Sequence, residues 1–150
     1  MNTTRKLIPF LCHAKQDRNV VREFGDRLKT QSWIDPWFDE EDLLPGQMWE
    51  ESVIQAVSQS DAVIVFLSKG AVVHEGFFQK ELNLALDTAK EKPEGTIFII
   101  PIRLDECEVP LRLQPYQYVD YFGDEVKKKN VYDNLITSLQ IRARSLGILN

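Results

Sequence analysis

The chain has 150 residues, of which 43% are hydrophobic and 27% charged, and its formal net charge is −5. This size and composition fit one globular domain with its own core, and an acidic balance without a basic stripe argues against nucleic-acid binding. No apolar run approaches the ~20 residues that span a bilayer, and two cysteines and two histidines are too few to suggest a disulfide framework or a metal centre. With no leader segment apparent, we expect a cytoplasmic protein, either standing alone or excised from a longer chain.

Strand and helix patterns alternate along the chain. In order, they predict strand 7–12, helix 20–28, strand 33–38, loop 39–46, helix 49–57, strand 62–67, helix 78–89, strand 97–102, strand 116–121 and helix 132–139. Asp17 is placed to cap the first helix. Proline lacks the ladder donor, so Pro9 is expected to begin its strand and Pro36 to occupy an edge or a bulge.

The runs 62–67 and 97–102 are apolar throughout, which predicts strands buried on both faces of a parallel sheet. Right-handed crossovers then give an open doubly wound α/β fold with helices on both sides of the sheet. Five strands favour the flavodoxin-like order 2-1-3-4-5. We expect residues 1–150 to form a single domain with a core at about 6–140.

Ligands of open α/β sheets bind beyond the carboxyl ends of the strands, where this chain is mostly polar. The residues that follow the first four strands are Cys12, His13 and Lys15, then Asp39, then Ser68, Lys69 and Gly70, then Arg103 and Asp105. No Gly-x-Gly-x-x-Gly turn or P-loop is present, and Ser68 stands where a phosphoacceptor receiver would carry Asp. Cys12 beside His13 is better interpreted as a core cysteine, because adjacent strand residues point to opposite faces.

Glu81 lies beside the apolar stripe of the helix 78–89, one turn after Phe77. A carboxylate near an aromatic, at a helix start beside a strand end, is placed to meet a ligand. Most helix glutamates are simply solvated, so this residue alone leaves both interpretations open.

Five segments, in this order and at these spacings, resemble those of a bacterial-type Toll/interleukin-1 receptor (TIR) domain. They are Ile8-Pro9-Phe10-Leu11-Cys12-His13-Ala14 with Asp17, and the segments 37–46, 62–68, 76–82 and 99–102. The resemblance covers about residues 6–140. Cys12 stands where serine is commoner, and Phe77 stands where the family's W-x-x-x-E-L helix carries Trp.

The resemblance implies two alternative functions. Many bacterial and plant members cleave NAD at the nicotinamide–ribose bond, using the glutamate that corresponds to Glu81. On that alternative the chain is an NAD nucleosidase that yields nicotinamide plus ADP-ribose or a cyclic isomer in bacterial antiphage defence, with NAD as substrate and no cofactor. Receptor and adaptor members instead are mainly scaffolds that self-associate through the loop matching 39–46, so a non-catalytic TIR–TIR module is the alternative. A domain that binds a nucleotide without cleaving it is also possible. No direct nucleic-acid or membrane partner is expected.

Six further residues are predicted to bind the substrate, and they are Phe77, Ser68, Asp39, Trp37, His13 and Lys69. Phe77 would stack on the ligand or pack one helix turn, and Trp37 would be a base platform or a core aromatic. Asp39 and Ser68 would line the pocket, or else solvate and cap their own loops. Some members contact phosphates with a basic residue after the first strand; Ala14 cannot do so, and Lys15 or Lys69 would substitute.

Overall fold

The computed structural model describes residues 5–38, 43–73 and 77–150, apart from the Phe77 side chain. In chain order these residues form β1 (Pro9–Cys12), a 3-10 turn (Lys15–Asp17), α1 (Arg18–Lys29), α2 (Trp49–Gln59), β2 (Ala62–Leu67), α3 (Lys69–Val73), α4 (Phe77–Ala89), β3 (Ile99–Arg103), a second 3-10 turn (Leu111–Leu113), β4 (Val119–Asp120) and α5 (Glu125–Ser145). The predicted alternation is confirmed over this part of the chain except at 33–38, where no regular strand forms. The acidic stretch that begins at Asp39 lies outside the described residues.

The strands described here form one parallel sheet in the order β1-β2-β3-β4. The central strand β2 pairs with β1 on one side and with β3 on the other along most of its length. In contrast, β3 and β4 pair at two positions, Ile102↔Val119 and Arg103↔Asp120. Because all the pairings are parallel, the carboxyl ends of the four strands lie at the same edge of the sheet.

The predicted second strand, at 33–38, is not a regular strand of this sheet. The segment lies parallel to β1 on the side away from β2, but it forms isolated bridges at Leu7↔Ile34 and Phe10↔Trp37. Within the described residues the sheet therefore has four strands, and the predicted five-stranded sheet is not confirmed. The segment nevertheless flanks β1 on the side where the order 2-1-3-4-5 places it.

The irregular pairing is explained by Pro9. Pro9 accepts a hydrogen bond from the Trp37 N–H at 2.8 Å, but it has no N–H to return to the segment 33–38, so the ladder is interrupted there. The N–H groups of Asp35 and Trp37 donate to the carbonyls of Leu7, just before β1, and of Pro9, at its start. The backbone nitrogen of the intervening Pro36 therefore lies on the side away from β1, where it is not needed as a donor to that strand, although the residue itself is buried.

The sheet is covered on both faces, as predicted. All six residues of β2 are buried, and they alternate between two apolar layers. On one face Ile64 and Phe66 pack with α1 and α5. On the other, Val63 and Val65 pack with α2 and α4, and Cys12 is enclosed in this second layer, which confirms its interpretation as a core cysteine. Within the described part of the chain, no helix combines the length and the apolar character that crossing a membrane requires.

Candidate functional site

Glu81 is a buried carboxylate on α4, with 3% of the residue exposed. Phe78, Leu82 and Ala85 from the same helix belong to the apolar layer over β2, so Glu81 is drawn inward beside them. Ionised side chains are rarely this enclosed unless the protein pairs or uses them, and the interpretation as a solvated helix residue is therefore wrong. The stacking predicted for Phe77 stays a prediction, since that side chain lies outside the described part of the structure.

Glu81 lines a cavity of about 380 Å³ between α2 and α4. Its lining residues are Glu50, Val53 and Ile54 from α2, and Lys80, Glu81, Asn83, Leu84 and Asp87 from α4. Each of these two helices leads into a parallel strand and therefore begins near the carboxyl edge of the sheet. Glu50 lies in the first turn of α2 and Glu81 in the second turn of α4, so the cavity lies toward that edge.

Among the described residues that line the cavity, acidic side chains outnumber basic ones. Three carboxylates line it, from Glu50, Glu81 and Asp87, against the single ammonium group of Lys80. At one wall, Arg112 donates hydrogen bonds to Asn83 Oδ1 at 2.9 Å and to Asp87 Oδ1 at 3.0 Å, which offsets one of these charges. The arrangement favours a ligand group that carries or develops positive charge.

Ser68 connects β2 to two helices. Its Oγ accepts the Ala71 N–H at 3.1 Å and donates to Asp17 Oδ2 at 2.7 Å. Ser68 therefore caps α3, and its predicted contact with the substrate stays a prediction. Asp17 occupies the N-terminal position of α1, but its side chain makes no hydrogen bond to that helix. The predicted cap by Asp17 is wrong, because its carboxylate instead accepts the hydrogen bond from Ser68, which is distant in sequence.

Several polar groups meet around Asp17 at the carboxyl edge. Burial raises the pKa of the Asp17 carboxyl; the Ser68 hydrogen bond opposes this rise, the Asp105 carboxylate adds to it, and His13 opposes it. Asp105 in turn accepts the Lys69 backbone N–H at 3.0 Å. Lys69 thus contributes its amide to this cluster, while its side chain remains exposed. The cluster joins β2, α1 and the loop after β3.

His13 and Trp37 both take part in aromatic packing. The His13 ring is stacked on Phe38 with centroids 5.0 Å apart, and its Nδ1–H donates to the Leu11 carbonyl at 3.0 Å. Trp37 is stacked on Phe10, also at 5.0 Å and with an interplanar angle of 9°. Trp37 lines a separate cavity of about 180 Å³, so it does not share the cavity that holds Glu81.

The structure therefore places the predicted site residues in separate locations. Glu81 lies in the α2–α4 cavity, Ser68 and Lys69 belong to the cluster around Asp17, and Asp39 lies outside the described residues. A third cavity of about 500 Å³, between β3, β4 and α5, shares no lining residue with the Glu81 cavity. Among the described residues, no group of His, Cys, Asp and Glu side chains is arranged to hold a metal ion.

Sequence reasoning missed Glu50 as a neighbour of Glu81. A signal for it exists, because Glu50, Val53 and Ile54 are spaced at i, i+3 and i+4 and so share one face of α2. This spacing does not indicate which helix packs against that face of α2. The pairing of α2 with α4 makes Glu50 and Glu81 part of one cavity.

Comparison with known proteins extends these observations. The family model described as "TIR domain" matches residues 10–136. The solved TIR domain of the Toll-related receptor TRR-2 from Hydra magnipapillata is 25% identical, with a TM-score of 0.71, and the match covers 88% of this chain and 97% of that chain. A metazoan TIR-STING receptor from C. gigas, solved in complex with 2′,3′-cGAMP, is 18% identical with a TM-score of 0.71, covering 93% of this chain and 41% of that one. At that identity the likeness shows the fold alone.

One curated bacterial relative also matches. The uncharacterized protein y4cD of Sinorhizobium fredii is 27% identical over 63 residues, which is 42% of this chain. The matched region spans 10% of that relative's length. The likeness therefore concerns one part of a much longer protein.

Proposed function

The chain belongs to the TIR domain family, and from that premise we propose that it is an NAD nucleosidase with Glu81 as its catalytic carboxylate. The observation that carries the proposal is the position of Glu81, which is 3% exposed and lines the cavity of about 380 Å³ between α2 and α4. The reaction breaks the bond between nicotinamide and ribose C1′. Its products are nicotinamide and ADP-ribose or a cyclic isomer.

The chemistry suits a single buried carboxylate. Nicotinamide in NAD is already cationic, so it leaves as a neutral molecule with the bonding electron pair and needs no general acid. The ribose is left with oxocarbenium-like positive charge, as in glycoside hydrolysis. A carboxylate held beside that centre stabilises the charge, and it does so more strongly in an enclosed site than in water.

The cavity fits one half of the substrate. Ligand pockets commonly measure about 300–1,000 Å³, and about 380 Å³ suits the nicotinamide and its ribose better than the whole dinucleotide. The pyrophosphate and the adenosine would then extend toward the carboxyl edge of the sheet. Lys69 and Lys15, both exposed there, are the proposed phosphate contacts, and Phe77 and Asp39 keep their proposed places along the substrate.

We further propose that the chain acts in bacterial antiphage defence, by consuming NAD or by releasing a signalling product. TIR domains self-associate and signal through TIR–TIR contacts, and the loop 39–46 is the proposed contact here. Any sensor or further domain would supply the trigger. The domain's activity is therefore best measured under conditions that promote assembly.

The test is nicotinamide release from NAD by the assembled protein. Glu81→Gln keeps the shape of the side chain and removes its charge, and we expect the rate to fall by about 10²–10³-fold, as when other transition-state charge stabilisers are removed. Glu91→Gln is the matched control, because Glu91 is exposed in the turn after α4 and should leave the rate unchanged. An assembled wild-type protein without nicotinamide release, or a fully active Glu81→Gln variant, would overturn the proposal.

A specific observation favours a second candidate, a non-catalytic TIR–TIR interaction module. Leu44, Met48 and Ile54 are 65%, 66% and 48% exposed on the loop before α2 and on the helix itself. Large apolar side chains left exposed on neighbouring segments are candidates for an interaction surface. On this alternative, Leu44→Ser with Met48→Ser abolishes assembly, and the assembled wild type releases no nicotinamide. The two measurements together separate a scaffold from an enzyme that must assemble.

A further inference from the structure

Two carboxylates from facing helices line the cavity in which the proposed reaction takes place. Glu81 is enclosed on α4, whereas Glu50 lies in the first turn of α2 and is exposed to solvent. Both side chains line the same space of about 380 Å³. Two carboxylates that share a site but differ in environment are suited to different roles in one reaction.

We infer that Glu50 is a second catalytic residue: the general base that removes a proton from the water attacking ribose C1′. Glu50 thereby directs the reaction toward ADP-ribose. This inference rests on the proposed function of Glu81. It adds to that function the residue that selects water as the acceptor of the ribosyl group.

The step balances without any further reactant. The bond between C1′ and the nicotinamide nitrogen breaks, and nicotinamide leaves with the electron pair. The water oxygen forms the new bond to C1′, and one water proton passes to the Glu50 carboxylate. Glu50 then releases that proton to solvent, to which it is exposed. Nothing is oxidised or reduced.

The other polar groups described around the cavity are unsuited to this role. Asp87 accepts a hydrogen bond from Arg112 at 3.0 Å, and the Asn83 amide oxygen accepts from the same guanidinium. The Lys80 ammonium group donates hydrogen bonds and has no acceptor. Glu50 stands across the cavity from α4. In inverting glycoside hydrolases the base carboxylate likewise lies across the reacting sugar from its partner carboxyl group, the general acid, which leaves room for a water.

Glu51 provides a matched control for the loss of charge in Glu50→Gln. Glu50 and Glu51 are both exposed acidic residues in the first turn of α2, where either charge complements the helix dipole. Glu50 lines the cavity, whereas Glu51 is absent from its lining. Glu50→Gln and Glu51→Gln therefore remove the same charge from the same turn, but only the Glu50 side chain reaches the cavity of the proposed reaction.

Two acceptors distinguish a general base from a merely structural residue. Water must lose a proton as it attacks, whereas 3-acetylpyridine attacks through a nitrogen lone pair and has no proton to lose. We expect Glu50→Gln to lower ADP-ribose formation at least ~10-fold, since general bases typically contribute about 10²–10⁴-fold, and to change exchange of nicotinamide for 3-acetylpyridine by less than about twofold. Glu51→Gln should leave both reactions unchanged.

The outcomes are decisive. If Glu50→Gln loses both reactions equally, the substitution has caused a binding or structural defect. If it loses neither, Glu50 has no role in the reaction. Either result overturns the inference. If the assembled wild type releases no nicotinamide, the function proposed for Glu81 fails as well. If the wild type is active, Glu81→Gln is inactive and Glu50→Gln hydrolyses NAD normally, only the role of Glu50 is wrong.

Discussion

Ser68 Oγ donates a 2.7 Å hydrogen bond to Asp17 Oδ2, which ties the carboxyl end of β2 to the start of α1. The same hydroxyl accepts the Ala71 N–H and caps α3. One serine therefore holds three elements together at the edge where ligands of this fold class bind. Asp17 is kept partly buried as a result, and this has a consequence for stability that can be measured.

Replacing Asp17 by Asn should stabilise the protein at neutral pH. The amide oxygen can still accept from Ser68, while the charge that burial and Asp105 disfavour is removed. Because the folded-state pKa of Asp17 is raised, its contribution to stability is present below the unfolded pKa and is lost as the pH rises through the folded pKa. Urea unfolding at pH 7 should therefore give a higher free energy of unfolding for Asp17→Asn, with the gain shrinking in acid.

Two variants make this prediction specific. Asp26→Asn, at an exposed position of the same helix, should change the free energy of unfolding by less than about 0.5 kcal/mol. Asp17→Ala leaves Ser68 without its acceptor and should cost about 1 kcal/mol. A loss for Asp17→Asn as large as that for Asp17→Ala would show that the carboxylate charge is needed.

Asp120 should make the sheet edge sensitive to acid. Arg103 donates from Nε and Nη2 to the two Asp120 carboxylate oxygens, at 2.6 and 2.8 Å, and these hydrogen bonds lower the pKa of Asp120. A lowered pKa gives stability that is present above the unfolded value of about 3.9 and is lost as the pH falls through the folded pKa. Asp120→Asn should therefore cost about 1 kcal/mol at pH 7 and nearly nothing at low pH.

The measurement is unfolding across pH, together with hydrogen exchange at the Tyr121 N–H, which donates to the Arg103 carbonyl at 2.8 Å. Exchange there should accelerate in Asp120→Asn because the two strands pair at so few positions. Asp133→Asn breaks an exposed pair with Lys129, and exposed pairs contribute about 0–1 kcal/mol. Equal losses of unfolding free energy for Asp120→Asn and Asp133→Asn at every pH would show that the Arg103–Asp120 pair is no more stabilising than an exposed ion pair.

Trp37→Phe should affect stability more than catalysis. Trp37 stacks on Phe10 and lines a cavity distinct from that of Glu81, so a smaller ring should cost about 1–2 kcal/mol of unfolding free energy through lost packing. Nicotinamide release should stay within about twofold of the wild type. Trp33→Phe is a fair comparison, since Trp33 is partly buried on the same segment but packs in the other layer.

Kinetics and stability together decide this case. A variant whose KM for NAD rises ~10-fold without a loss of stability would mean that Trp37 is a base platform. Equal stability losses for Trp37→Phe and Trp33→Phe, with unchanged KM, would instead support the packing role for both.

Local pattern was sufficient for most of the fold. The run 62–67 is observed as β2 with the predicted bounds, because six consecutive apolar residues can only be a fully buried strand or part of a buried helix, and the flanking polar residues end it too soon for a helix. The stripe that places Phe78, Leu82 and Ala85 inward is also local, since helix periodicity depends on spacing alone. Both features put Glu81 on a helix near the ligand-binding edge.

Tertiary structure decided what depends on partners distant in sequence. Pro9 interrupts the pairing with 33–38 because its backbone faces that segment and has no N–H to donate. Which side of β1 a residue faces depends on the register between neighbouring strands. Asp17 meets Ser68, 51 residues away, instead of capping its own helix. By itself the sequence placed Glu81 beside an apolar helix face; its 3% exposure and the facing Glu50 come from the packing of α2 against α4, because enclosure requires a second surface that no single segment encodes.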